Sequence, residues 1–169
     1  MKFFLFILFS ISLFAISTPT SFQSDFIQIT TTPNGKKYTY KGRISYSKDS
    51  FKWKYFSTIN QEVCSNNNKL LVVNYDLEQI HYFKITDKFN LKKILKVAKL
   101  YKNNIYVALY SQQKYTISLD SKRKIQSIAF YDNADNKIQI LFKNMFYFDT
   151  ELSKKVLRCK IPGDFELVP

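Results

Sequence analysis

The chain has 169 residues, of which 46% are hydrophobic and 17% aromatic, and its formal net charge is +13. A single histidine, three glycines and two cysteines leave no recognisable catalytic or metal-binding constellation, so neither an enzyme nor a metal site is predicted. The basic residues are mostly lysines dispersed along the chain without an arginine-rich arm, a pattern that argues against nucleic-acid binding.

The N-terminus has the pattern of an export signal. Lys2 precedes an apolar run over 3–16 that is broken only by two serines. This run is too short to span a bilayer, which takes about 20 residues. A signal peptide over 1–17, cleaved after Ser17, is favoured over a buried core helix. No cysteine closes the run, so we expect an exported protein without a lipid anchor, with one domain over 18–169.

Downstream, apolar residues alternate with period two, and turn signals recur about every 8 to 12 residues. Pro33-Asn34-Gly35 predicts a turn, and the asparagines around 65–68 predict a hairpin connection. Strands are predicted over 37–46, 49–56, 69–75, 78–84, 104–110, 114–119, 124–131, 137–143, 155–161 and 165–168. About 10 or 11 strands in so short a chain indicate a strongly curved antiparallel sheet or a barrel.

One segment, 90–101, has helical spacing instead, with apolar residues at 91, 94, 95 and 98 and lysines between them. Asn90 is a suitable N-cap. Such a basic amphipathic helix can lie on a membrane surface. Packing of its apolar side on the concave face of the sheet is the favoured interpretation. The only other predicted helical cover is a turn around 21–28.

The predicted strand at 49–56 places Phe51, Trp53 and Tyr55 on one face and the lysines between them on the other. At each of these positions, burial in a filled core explains the alternation as well as a ligand cavity does. With so little helix to cover a broad apolar face, however, an apolar ligand could complete the core.

The two cysteines, Cys64 and Cys159, fall in predicted strands. In an oxidising compartment they could form a disulfide closing a loop of nearly 100 residues. They could equally be small buried hydrophobic residues. Both alternatives stay open at this stage.

Several segments in order along the chain resemble the LolA family of periplasmic lipoprotein carriers. They are 21–28, 42–55, 64–80, and 161–163 together with 165–168. In addition, Asn74-Tyr75-Asp76-Leu77-Glu78-Gln79-Ile80-His81-Tyr82 follows Phe51-Lys52-Trp53-Lys54-Tyr55-Phe56 at a spacing that resembles the family's. The resemblance implies a mainly β fold, an incomplete, half-open antiparallel β-barrel whose concave apolar face is covered by a small helical lid. It also implies that the domain over 18–169 is a monomeric carrier located in the periplasm.

The resemblance further implies a function without catalysis. Such carriers accept acylated lipoproteins from an inner-membrane lipoprotein-releasing ABC transporter and take them to an acceptor at the outer membrane. Matching positions predict a cavity wall of Phe51, Trp53, Tyr55, Val63, Leu71 and Val73. They predict Ile94, Leu95 and Ala98 as the apolar side of the lid. No cofactor is implied.

The chain departs from the family at two places. An Arg-Pro pair whose arginine holds the lid is replaced by Ser47 and Lys48, and lysine lacks the planar fork of donors. Lys48 is the residue expected to contact the lid in its place. Of the family's first amphipathic helix only residues 18–20 remain after cleavage, so either the lid is reduced or part of the apolar leader is retained to replace it. Such a shortening suggests a different partner set, including a missing outer-membrane receptor. The alternative to a carrier is a secreted, basic β-sheet interaction module with a filled core and no lipid ligand.

Overall fold

The computed structural model of the chain describes Ile16 and residues 19–66, 69–84 and 90–168. These residues form twelve strands and two short helices. The bounds are β1 (Ser21–Thr31), β2 (Lys37–Ser47), β3 (Ser50–Ser57), β4 (Ile59–Asn66), β5 (Lys69–Asn74), β6 (Gln79–Lys84), α1 (Leu91–Val97), β7 (Lys99–Lys102), β8 (Ile105–Tyr110), β9 (Gln113–Leu119), β10 (Ile125–Tyr131), β11 (Lys137–Phe148), α2 (Lys154–Leu157) and β12 (Glu166–Val168). Neither α1 nor α2 has the length and hydrophobicity of a membrane-spanning helix.

All twelve strands belong to one open sheet, in the order β12-β6-β5-β4-β3-β2-β1-β11-β10-β9-β8-β7. Neighbours are antiparallel except for β12, which pairs in parallel with β6. Pairing of β1 with β11 joins two meanders, one from β1 to β6 and one from β7 to β11. The predicted fold class, a mainly β, incomplete barrel with little helix, is confirmed.

This topology gives α1 a particular position. It lies in the connection between β6, which is next to one edge of the sheet, and β7, which forms the other edge. The connection must therefore pass from one side of the sheet to the other. The buried face of α1 belongs to the core cluster of the sheet, which places the helix over the concave side.

The core lies on the concave face. Antiparallel partners point to the same side of a sheet, so the register of β1, β2 and β3 brings their inward aromatic residues together. Phe26 packs against Trp53 with ring centroids 4.6 Å apart and against Tyr55 at 5.3 Å. Strands β8 to β11 complete the cluster with Tyr106, Ala108, Tyr115, Ile117, Leu119, Ile125, Ile128, Ile138, Ile140 and Phe142.

Gly42 allows this packing because it leaves room for the Phe26 ring. A Cβ atom at position 42 would lie 2.1 Å from the Lys54 carbonyl oxygen and 2.5 Å from Cζ of Phe26. We expect Gly42→Ala to lower the free energy of unfolding by about 1–3 kcal/mol, the usual cost of overpacking a core. Chemical denaturation checks this, with Gly163→Ala as the control, since a Cβ there has nothing within 4 Å. Equal stability of the two variants would contradict the close packing of Phe26.

The C-terminal segment, 149–165, covers the convex face of β2 to β5, and β12 then extends the sheet beside β6. Cys159 is joined to Cys64 by a disulfide, with the Cα atoms 5.7 Å apart. The backbone N–H of Lys160 donates to Oε2 of Glu62, and its carbonyl accepts from the Tyr75 hydroxyl, at 3.0 and 2.9 Å. These bonds explain why β4 and β5 are buried on both faces.

The structure corrects several predicted elements. The turn expected around 21–28 is the long central strand β1, and the helix expected over 90–101 ends at Val97 and is followed by β7. The strand predicted over 155–161 is absent, since 154–157 form α2 and Cys159 lies in a loop. The count is twelve strands rather than 10 or 11. The signal peptide prediction, apart from Ile16, and the tip of the hairpin at 67–68 lie outside the described residues.

Candidate functional site

The most distinctive surface of the fold is the concave wall formed by β1, β2 and β3. Its inward positions carry no charged side chain. They are Phe22, Ser24, Phe26, Gln28 and Thr30 in β1, Tyr38, Tyr40, Gly42, Ile44 and Tyr46 in β2, and Phe51, Trp53 and Tyr55 in β3. The lysines of β3 point to the opposite, convex face, where Lys52 and Lys54 pair with Glu62. The fold thus separates a continuous apolar wall from a basic exterior.

The helix α1 packs next to β8 in the concave core to which this wall also belongs. Leu91, Ile94 and Leu95 are all buried on its sheet-facing side, and Ile94 has no exposed surface. Asn90 caps the helix as predicted, accepting a hydrogen bond from the Lys93 backbone N–H at 3.0 Å. Ala98 is the C-cap and packs against the same core. A seven-residue helix is marginal alone, so α1 owes its stability to this packing.

Four of the six predicted wall residues lie together on the concave side. Trp53 belongs to the buried core cluster, and Phe51, Tyr55 and Val63 pack against it. Val63 is brought beside Trp53 by the register of β3 and β4. Whether these side chains bind a ligand stays a prediction.

Leu71 and Val73 do not belong to the wall. They pair with Cys64 and Glu62, which point to the convex side, so they lie under the C-terminal segment instead. Val72, opposite Val63, takes the inward position in β5. The prediction was wrong by one residue because 70–73 are all apolar, and a run without alternation does not show which face is inward.

Lys48 does not act on the lid among the described contacts. It lies in the turn between β2 and β3, and its ammonium group forms an ion pair with Glu151 in the C-terminal segment. The side chain is more than half exposed. The prediction that Lys48 contacts α1 is therefore wrong, because the turn directs this side chain to the C-terminal segment.

Polar groups on the wall are few and mostly satisfied. The Tyr55 hydroxyl donates to Oε1 of Gln28 at 2.9 Å, and burial raises the pKa of Tyr55. Burial, together with nearby Asp49, raises the pKa of Tyr46 to about 12, so both phenols stay neutral. Nε1 of Trp53 has no hydrogen-bond partner in the part of the chain that the structure describes. The Tyr55 hydroxyl is near enough for this N–H to lower the pKa of that phenol, against the larger effect of burial.

Sequence reasoning did not single out several buried residues of the concave face. They are Phe22, Phe26 and Ile44 in β1 and β2, and Tyr106 and Tyr115 in β8 and β9. The alternation in β8, β9 and β11 was visible in the sequence. What was missing is the pairing of β1 with β11, which brings the two meanders onto one face.

On the convex face, Glu62 anchors the C-terminal segment. Burial alone would raise the pKa of Glu62, but the Lys160 N–H and the ammonium groups of Lys52 and Lys54 outweigh it and lower the pKa below 4.5. The carboxylate also lies within ligand distance of Cys64 and Cys159. Because these two sulfurs form a disulfide, the three residues are not a metal site.

A lowered pKa predicts acid sensitivity. The stabilisation from Glu62 is complete above the unfolded pKa of 4.5 and is lost as the pH falls through the lower native pKa. Glu62→Gln should therefore lower the free energy of unfolding at neutral pH by about 1.5–3 kcal/mol and flatten its decline in acid. Urea denaturation of both proteins between neutral and acidic pH measures this. Parallel pH profiles would contradict the role assigned to Glu62.

Comparison with known proteins places this fold. An outer-membrane lipoprotein carrier protein of Campylobacter jejuni is 32% identical over 167 residues, which cover 98% of this chain and 97% of the relative. The chain belongs to the outer-membrane lipoprotein carrier (LolA) family. A carrier protein of the same name from Wolinella succinogenes is 28% identical over 94% of this chain and 92% of the relative. The resemblance seen in the sequence is confirmed, although no family model matches the chain.

Solved structures agree at the level of fold. An uncharacterised conserved protein from Thermus thermophilus aligns with a TM-score of 0.55 at 11% identity, covering 89% of this chain and 90% of that one. Such a likeness shows the fold alone. The relatives of the lipoprotein carrier family are named as carriers rather than enzymes, and a LolA-type role follows for this chain.

Proposed function

We propose that the chain is a monomeric periplasmic carrier that shelters the acyl chains of lipoproteins between α1 and the concave wall. The signal peptide over 1–17 exports it, and 18–169 form the carrier domain. It takes its cargo from the inner-membrane lipoprotein-releasing ABC transporter and delivers it to an acceptor at the outer membrane. The observation that carries the proposal is an uncharged aromatic face on an open sheet, with the buried side of one short helix in the same apolar core.

The energetics of acyl transfer fit this geometry. Exposing one methylene group to water is unfavourable by about 0.8 kcal/mol. A long acyl chain that crosses an aqueous space therefore requires about 10 kcal/mol of stabilisation by apolar contacts. The wall supplies aromatic and aliphatic contacts, and the indole N–H of Trp53 supplies a donor for an acyl carbonyl. An unpaired buried donor is unfavourable by about 1–3 kcal/mol, which a bound carbonyl would relieve.

Loading requires α1 to move. Its apolar side chains already occupy the concave face, so acyl chains must take their place. The exchange replaces one set of apolar contacts with another, and its net free energy is therefore small compared with the total burial. This balance gives an affinity high enough for extraction and low enough for release.

Native mass spectrometry on protein from a periplasmic extract tests the proposal. Phe51→Glu places a charge on the concave wall. Phe56→Glu places the same charge on the same strand but at an exposed position facing the convex side. We expect lipid or acylated lipoprotein on the native chain and on Phe56→Glu, and its loss from Phe51→Glu.

A second candidate function is the secreted interaction module, which the burial of the concave side chains against each other also supports. In that case the mass of the native chain would be that of the protein alone. Added triacylated peptide would not change it, and the two glutamate variants would behave alike.

A further inference from the structure

An exposed apolar surface lies at the β7 edge of the sheet, away from the concave wall. Its members are large hydrophobic side chains from the end of α1, from β7 and from β8. We call it the edge patch: Val97, Leu100, Tyr101, Ile105 and Leu109. Tyr101 is 75% and Leu109 72% exposed. Together with Val107 and Lys99, most of these residues line an open groove of about 470 Å³.

The edge patch does not arise from the concave core. In β8, Tyr106 and Ala108 point inward and are buried, while Ile105 and Leu109 alternate with them and point outward. Burial of Tyr106 and Ala108 already satisfies the packing needs of this strand. The outward apolar positions therefore have no role in the core, and contiguous exposed apolar surface is typical of interaction sites.

The segment that carries the edge patch has charge of one sign. Residues 90–119, which include α1, β7, β8 and β9, contain six lysines and no aspartate or glutamate. Two of them, Lys99 and Lys102, lie in β7 itself, and Lys96 is in the last turn of α1. The edge patch is thus an apolar centre in a purely basic segment.

Exposed aliphatic and aromatic side chains surrounded by lysines match the interface of an anionic bilayer. The apolar groups enter the boundary between headgroups and acyl chains, and each lysine near the surface contributes about 1 kcal/mol of attraction to anionic lipid. A protein partner would need an acidic rim around an apolar centre. A second copy of this chain carries a formal net charge of +13 and would be repelled by the lysines.

We propose that the edge patch docks the protein directly on an anionic phospholipid bilayer. This inference rests on the proposed carrier function, which gives docking its purpose. The patch begins at Val97, where the lid helix ends, so a docked protein holds α1 beside the bilayer. Acyl chains could then move between membrane and concave wall over a short path. Docking by this route needs no separate receptor protein.

Vesicle flotation tests the proposal with the mature wild-type chain. Phosphatidylcholine vesicles are compared with phosphatidylcholine vesicles containing phosphatidylglycerol, at low and at high salt. We expect binding only to the anionic vesicles, weakened by salt. Lys99→Gln combined with Lys102→Gln should lower the partition coefficient about 30-fold, because each lysine contributes about 1 kcal/mol to binding.

The apolar part has its own variant and control. Tyr101→Ser with Leu109→Ser removes the two most exposed side chains of the patch, and Leu77→Ser with Phe146→Ser removes comparably exposed ones elsewhere. All four positions are exposed, so the variants should fold normally. We expect the first pair to lose vesicle binding and the second pair to keep it.

Other results overturn the proposal. These are no binding to anionic vesicles, equal binding to phosphatidylcholine alone, or equal binding by the two serine pairs. Weak vesicle binding combined with patch-dependent delivery to a protein acceptor would assign the edge patch to a protein partner instead.

Loading with triacylated peptide in solution, followed by native mass spectrometry, tests the carrier function separately from docking. Patch variants that load normally but do not dock leave the carrier function intact, and a docking protein that never loads refutes only the carrier function.

Discussion

Cys159→Ser should lower the free energy of unfolding by about 4–5 kcal/mol. The disulfide to Cys64 spans 95 residues, and a loop of that length removes much of the conformational entropy of the unfolded chain. The effect is large relative to the 5–15 kcal/mol or so that stabilises a typical domain. Guanidinium denaturation of the wild type and the variant measures the difference.

Reduction provides the matched control. Wild-type protein with dithiothreitol should unfold at the same denaturant concentration as Cys159→Ser, and dithiothreitol should not affect the variant. Because Glu62 and Tyr75 still hold Lys160, the C-terminal segment should stay docked when the bridge is open. A variant as stable as the oxidised wild type would show that the disulfide contributes nothing to the fold.

Ile94→Asp should have the second large effect, on the lid. Ile94 is fully buried against the concave wall, and the substitution both removes an apolar side chain and places a carboxylate there. Loss of a buried isoleucine alone costs about 2–5 kcal/mol, and an unpaired buried charge adds to it. We expect α1 to leave the wall, so an apolar dye such as anilinonaphthalene sulfonate should bind more strongly and the melting temperature should fall.

Lys92→Asp is the control for this variant. It introduces the same residue into the same helix at an exposed position of the first turn, where a negative charge is favourable. Its dye binding and melting temperature should match the wild type. If both aspartate variants gave the same dye signal, α1 would not be a lid held by its apolar side.

Much of the fold could be predicted from local patterns. Period-two alternation located most of the strands of both meanders, and the spacing at 91, 94 and 95 with Asn90 located α1. The central strand β1 was missed for a physical reason. Phe22 and Phe26 are four residues apart, a spacing that puts both on one face of a helix and also on one face of a strand. Only the pairing of this segment with β2 and β11 shows that it is a strand and not a helix.

The inward residue of β5, Val72, was missed for a related reason. The C-terminal segment covers the convex side of β5, so both faces of the strand are buried and the sequence is apolar throughout. Covering of this kind is a long-range contact, and no local pattern shows it. The same applies to Lys48, whose partner Glu151 is distant in sequence.

The structure also suggests how lid control can differ from that in the family pattern. The family's Arg-Pro pair is replaced by Ser47 and Lys48, and the described contacts that hold α1 include its own apolar side chains and the Asn90 cap. We expect a lid held by apolar packing to open when an apolar ligand competes for the same surface.

The fluorescence of Trp53 tests the central claim most directly. It is the only tryptophan of the chain and lies on the concave wall beside Phe26, so its emission reports on that site alone. A triacylated peptide with bromine atoms on its acyl chains should quench the emission in a saturable way, and unbrominated peptide should compete. If the brominated peptide binds without quenching Trp53, or does not bind at all, the acyl chains do not lie on the concave wall and the account is wrong.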